Sequence, residues 1–339
     1  MSTPTIRLSI LDTSPIVQGA TPQQALHNTV DLAALADTLG YHRYWVPEHH
    51  GMRGVASTSP AVLIAHLANT TKNLRLGAGG VLLPNHAPLL IAEQFTTLTA
   101  LHPGRIDLGI GKAPGGRQQV INEIRPPQAR TAKPFPHQLA ELQTYLNPPE
   151  NAPIKAIPAI NGTPPPLWLL GSSPTSAKLA ATLGLPYAYA HHLNPTQATE
   201  ALNTYRSHFR PTPQTPTPTT LISLTVIAAE TNTQAEYLAG PIRLKVLSRH
   251  QDTRIQLPTP EQAAAHPYTA ADQTHLATHS AKLLLGNPEK LTTDLQAILD
   301  ATGTGELMVT TPVYRHADRR RSYELLATIT DQLNVTSKP

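Results

Sequence analysis

In YWVPEHHG, residues 44–51, an apolar run ends in a carboxylate and two adjacent imidazoles before a glycine. Imidazole titrates near neutral pH and can serve as acid or base. At a strand tip, Tyr44, Trp45 and Val46 would anchor Glu48, His49 and His50 while the imidazoles face a cavity. The bland alternative is that these groups bond a loop or cap a neighbouring helix. Metal ligation is the other use: His49, His50, His86, His191 and His192 all fall near expected strand ends, and three imidazoles can hold zinc with an open position. No His-Glu-x-x-His pair occurs and no His-x-His closes the first strand, so no metal is assigned.

Glycines mark two further strand ends, GAGG at 77–80 and GIGKAPGG at 109–116. There they permit a bulge, or close approach of the backbone to something flat or anionic. Gly109, Gly111 and Gly115 miss the dinucleotide spacing and Pro114 interrupts it; no Walker phosphate loop is present. Lys112 either places a positive charge beside a phosphate or is a surface lysine. LWLLGSSPTSAKLA, residues 167–180, offers an anion site: a strand ends at Gly171, and Ser173-Pro174 opens a helix with Thr175 and Ser176 in its first turn. Free amides and the helix dipole make such an end receptive to phosphate, with Ser172 and Thr175 hydroxyls beside it. Ser173 is also a plain N-cap, and the two roles coexist.

The elements that must position these groups alternate along the chain. TIRLSIL (5–11) is strand-like, and a helix follows in which Thr21 caps, Pro22 takes the first position, Gln24 completes a capping box and Gly40 terminates. Strands YHRYWV, NLRLGAGGVLL, RIDLGIG, PLWLLG, PYAYA, TLISLTVIAA and GELMVTT come next, separated by helical patterns. Eight β-α units predict parallel pairing with right-handed crossovers, hence an α/β fold, a closed (β/α)8 TIM barrel, with an open doubly wound sheet as the other arrangement. The reading is one domain over residues 1–339, with irregular insertions at about 115–134 and 249–271 on the C-terminal face. In a barrel, reactive groups gather at the C-terminal strand ends, where the motifs above fall.

Composition removes several classes of function. Among 339 residues there is no cysteine, which excludes disulfides, thiolate nucleophiles and cysteine metal sites. The net charge of +4 carries no long basic run, so nucleic-acid binding is not expected. No apolar stretch approaches the roughly 20 residues of a membrane span. MSTPTIRLSILD has no secretory pattern, and a cytoplasmic, soluble protein is expected.

Taken together, GYHRYWVPEHHG, the segment from Leu74 to Gly115, PLWLLGSSPTSAKLAATLGLPYAYA and the late GELMVTTPVY resemble the bacterial luciferase-like flavin monooxygenase family, in the family's order over most of residues 5–330. The resemblance implies a (β/α)8 barrel with reduced FMN at its C-terminal mouth, delivered by a separate flavin reductase, and one oxygen atom of dioxygen added to a small apolar substrate such as an aldehyde or secondary metabolite. It assigns His49, with His50 beside it, as catalytic, and Gly79-Gly80 as a strand bulge holding a non-prolyl cis peptide under the flavin. Ser172 and Thr175 match phosphate-binding positions, and Lys112 stands where many members have arginine. Lys133 or Arg130 is the second cation. Gly111 replaces the reactive cysteine of the light-emitting enzymes, and Gly171 an acidic residue beside their phosphate. A homodimer is implied. Two alternatives stay open: a deazaflavin-dependent hydride transfer on the same barrel, and a non-catalytic flavin-binding subunit.

Overall fold

The structure is a computed structural model that describes residues 6–113, 115–125, 133–158, 163–278 and 282–334. Arg130 lies outside them, as do Pro114 and part of the first insertion. The chain runs β1 (Arg7–Leu11), α1 (Pro22–Thr38), β2 (Arg43–Val46), α2 (Pro60–Thr70), β3 (Arg75–Leu82), α3 (Pro88–Leu101) and β4 (Ile106–Gly111). It continues with α4 (Gln118–Ile124), α5 (Phe135–Leu146), β5 (Leu167–Gly171), α6 (Pro174–Thr182), β6 (Tyr187–Tyr189), α7 (Ala198–His208) and β7 (Thr220–Ala228). Then come α8 (Asn232–His250), α9 (Pro260–Ala265), α10 (Ala270–Ala277), β8 (Leu283–Gly286), α11 (Pro288–Thr302), β9 (Glu306–Thr310) and α12 (His316–Thr328).

β1 to β7 pair in sequence order, β7 pairs with β9, and β9 returns to β1, every pair parallel. This closes an eight-stranded (β/α)8 barrel. The described residues hold a ninth strand, β8, beyond the eight that the alternation predicts. β7 is long enough to use its first half, Ile222–Thr225, against β9 and its second, Thr225–Ala228, against β8. LLLG is too short and too uniformly apolar to announce itself as a strand.

Alternation sorts each strand into two faces. Residues such as Leu8, Ile10, Leu76, Leu108, Leu169 and Leu224 point outward and pack under the helices in the main core. Inside, Leu11, Trp45, Trp168, Ala188, Leu221 and Met308 form a separate apolar plug. Trp45 and Trp168 meet edge to face, 5.5 Å apart, a geometry worth about 1 kcal/mol beyond its area. Beneath the plug, Arg43 bridges Asp107 (2.6 Å) and Glu306 (2.8 Å), and Asp107 also binds Arg75. Among the described residues, the barrel interior is therefore filled below.

Local rules explain most helix ends. Thr21 accepts from the amide of Gln24, but the Gln24 side chain turns to Asn28 instead of completing the expected box. Gly40, at φ +76°, follows the last turn of α1 as expected. Both insertions hold more order than the sequence suggested: α4 lies in the first, and α9 and the start of α10 in the second. Helices of two turns or fewer carry too little periodicity to be read and rest on caps and packing. α9 and α10 each begin with a complete capping box, from Thr259 and Thr269.

Candidate active site

β2 ends at Val46, and the chain emerges from the rim as Pro47-Glu48-His49-His50. Glu48 is buried. Its Oε1 lies 2.6 Å from His50 Nε2 and 2.8 Å from His86 Nε2, and its Oε2 accepts the Leu82 amide at 2.9 Å. Burial alone would raise this carboxyl; the bonds and charge of His86, with the bonds from His50 and Leu82, outweigh it and hold the group below the usual carboxylate range. The EHH motif points to His49 and His50 as the pair of interest. The structure separates them, tying His50 and His86 to Glu48 and leaving His49 on its own.

His49 is fixed only by its backbone, through its amide to Ser57 O at 2.9 Å. Its Nδ1 is enclosed without a hydrogen-bond partner. Burial and then the neighbouring His50 push the ring below its ordinary pKa, against the opposing charge of Glu48. His192, just past β6, has Nδ1 2.9 Å from Ser223 Oγ. Burial depresses His192 too, and His49 and Lys282 add to that effect. Two neutral imidazoles therefore share the mouth from β2 and β6. His192, Ser223, Glu48 and His86 were not assigned roles from sequence; a carboxylate at a strand tip beside two histidines was the one available signal.

β3 and β4 supply the floor. The Gly79-Gly80 peptide is cis, and the β3–β4 register shifts between Ala78 and Val81, so the expected bulge is present. The reason for glycine differs from the expected approach to a ligand. A Cβ on Gly80 would stand 2.7 Å from Gly109 O, and one on Gly79 would stand 2.8 Å from Leu11 Cδ1. The close approach is to the barrel's own strands. Gly80 O accepts the Glu48 amide at 3.2 Å, which joins the bulge to the His49 segment. Gly111 pairs with Leu82 and with Leu170, and Lys112 follows it, exposed.

β5 ends at Gly171, where any Cβ would collide with Ser176 Oγ. Ser176 is thus free to complete a capping box with Ser173 at the start of α6, which confirms Ser173 as a cap. The Ser172 and Thr175 side chains make no hydrogen bond among the described residues, and neither does Lys112. That donor set, a cation, two hydroxyls and a helix start, fits a phosphate. Lys133 is bonded to Glu141 on α5, whereas Lys112 directly follows β4. His49, Gly80, Gly111 and Gly171-Ser172 stand at the tips of four consecutive strands, β2 to β5. The link after α8 is stitched to the loops that follow β1 and β2: the Gln18 amide donates to Leu257 O at 2.9 Å, and Gln256 Nε2 to Arg53 O at 3.1 Å.

A family model described as luciferase-like monooxygenase matches residues 6–306. A luciferase-like monooxygenase of Escherichia coli (strain K12) is 40% identical over 334 residues, covering 98% of this chain and 99% of that protein. The crystal structure of apo-MsnO8 superposes with a TM-score of 0.91 at 39% identity, over 99% of both chains. The oxygenating constituent of 3,6-diketocamphane monooxygenase from Pseudomonas putida, a type II Baeyer–Villiger monooxygenase in complex with FMN, shares the fold with a TM-score of 0.73 at 21% identity, over 98% of this chain and 100% of that one.

Proposed function

This chain belongs to the luciferase-like monooxygenase family, and from that premise we propose that it is an FMN-dependent enzyme that adds one oxygen atom of dioxygen to a small organic substrate. The observation that carries the reading is His49, a half-buried imidazole with neither ring nitrogen bonded among the described residues. Unspent polar groups of this kind ask for a ligand. Lys112, Ser172 and Thr175 would hold the phosphate, and Gly79, Gly80, Gly111 and Gly171 form the rim beneath the ring system. Reduced flavin, when bound, supplies dioxygen activation, which no side chain at this rim can perform.

The chain's own part is to position and to move protons. His49 is neutral at physiological pH and can take a proton at one nitrogen while giving one from the other. His50, tied to Glu48, is a positioning residue that keeps the His49 backbone in place. The apolar plug below and the stitched link above exclude water. No nicotinamide fingerprint is found in the sequence, so the reduced flavin comes from a separate reductase. The outer faces of α2 and α3, nearly free of charge and with Val62 and Leu90 exposed, are the surface offered to a second copy.

The test is a mass-spectrometric search for ¹⁸O incorporation from labelled dioxygen across a metabolite extract, with FMN and a flavin reductase supplied. A product with one labelled atom is expected, and His49→Ala should lower its rate at least ~100-fold with FMN affinity retained. Unlabelled products, or binding of reduced deazaflavin with none of FMN, would end this reading.

A further inference from the structure

Beside His192 a cavity of ≈ 920 Å³ opens between α8, α10, β8 and α11, a size suited to an organic ligand. Much of its wall is apolar, with Ile242, Val246, Leu276, Leu283 and Leu285 among the lining residues. Its charges do not balance. Two carboxylates line it, and each already has a cation: Glu236 bonds Arg243 and Asp294 bonds Lys290, both at 2.5 Å. Arg249 and Lys282 line the same cavity and have no carboxylate partner among the described residues. Lys245, one turn before Arg249 on α8, lies outside the lining, near Gly54, yet it feels this excess: burial and the charge of Arg249 push it down to about 8. The stacked rings of His250 and His275, 3.8 Å apart, close the outer wall. Like charges gathered around an apolar cavity repel one another, and an anion placed among them relieves that repulsion.

We propose that this cavity binds the substrate as an amphipathic organic anion, its charged end held by Arg249 and Lys282 and its apolar body against the α8 and β8 side chains. The inference rests on the monooxygenase reading for calling the ligand a substrate, and it narrows the expected apolar compound to one that carries a negative charge. His192 lines the cavity together with Lys282 and feels the charge of both Lys282 and His49, so the charged end sits beside the proposed reaction centre. The phosphate of FMN would be held separately, at β4 and α6.

The test is isothermal titration calorimetry of the whole chain with sodium octanoate and with 1-octanol, which share chain length and differ in charge. Octanoate is expected to bind at least tenfold more tightly. Arg249→Gln and Lys282→Gln should each weaken octanoate at least fivefold and leave 1-octanol unchanged, whereas Arg254→Gln, an exposed arginine already paired with Asp252, should change neither. Equal affinities for the two probes, no heat with octanoate, or an Arg254→Gln loss as large as that of Arg249→Gln would overturn the proposal. FMN titration separates the two readings. FMN binding with no octanoate preference overturns the anion site alone, and octanoate preference with no FMN binding overturns the flavin reading alone.

Discussion

Glu48 decides the geometry of the rim at the level of single residues. One buried carboxylate collects two imidazoles and a backbone amide, and so joins the segment after β2 to the end of β3 and to His86. Glu48→Ala removes several charge-assisted bonds at once and should cost about 3 kcal/mol, measured by urea denaturation. A loss below ~1 kcal/mol would mean that the bonds are replaced by water. The EHH motif was readable as chemistry, but the division of labour inside it was not. Adjacent residues on a strand tip point to opposite sides, and which imidazole meets a carboxylate depends on where His86 arrives from another loop.

Among elements, β3 and β4 join through a close backbone approach. A Cβ on Gly109 would press into the Ala78 carbonyl, a backbone group that cannot turn aside as a side chain can. Gly109→Ala should therefore destabilise the protein by about 3 kcal/mol or more, read from the melting temperature or from loss of soluble protein. An unchanged melting temperature would show that the two strands can separate there. The sequence signalled the glycines clearly yet left open whether a ligand or a neighbouring strand required them. α1 and α6 were legible because their caps, prolines and terminal glycines are local signals. α4, α9, α10 and β8 were not, being too short for period to show.

For the whole molecule, stability should follow pH through its enclosed histidines. His42 and His191 are each pushed down to about 4, chiefly by burial. An unfolded chain takes up protons at these sites from about pH 6.5 downward, while the folded one resists until about pH 4. Their contribution is thus fully present above pH 6.5 and is lost as pH falls through that window. The melting temperature should drop between pH 6.5 and 4, and a His42→Gln, His191→Gln double variant should show a shallower drop; an equal slope in both proteins would refute the assignment. The barrel as a class was determined by the sequence itself, because eight alternating strands and helices leave few right-handed parallel closures, and the motifs fell at strand ends in one order. Tertiary structure alone decided which side chains met. Arg43 with Asp107 and Glu306, Glu48 with His86, and His192 beside His49 join residues dozens to hundreds of positions apart, and no local pattern encodes a contact that exists only once the cylinder has closed.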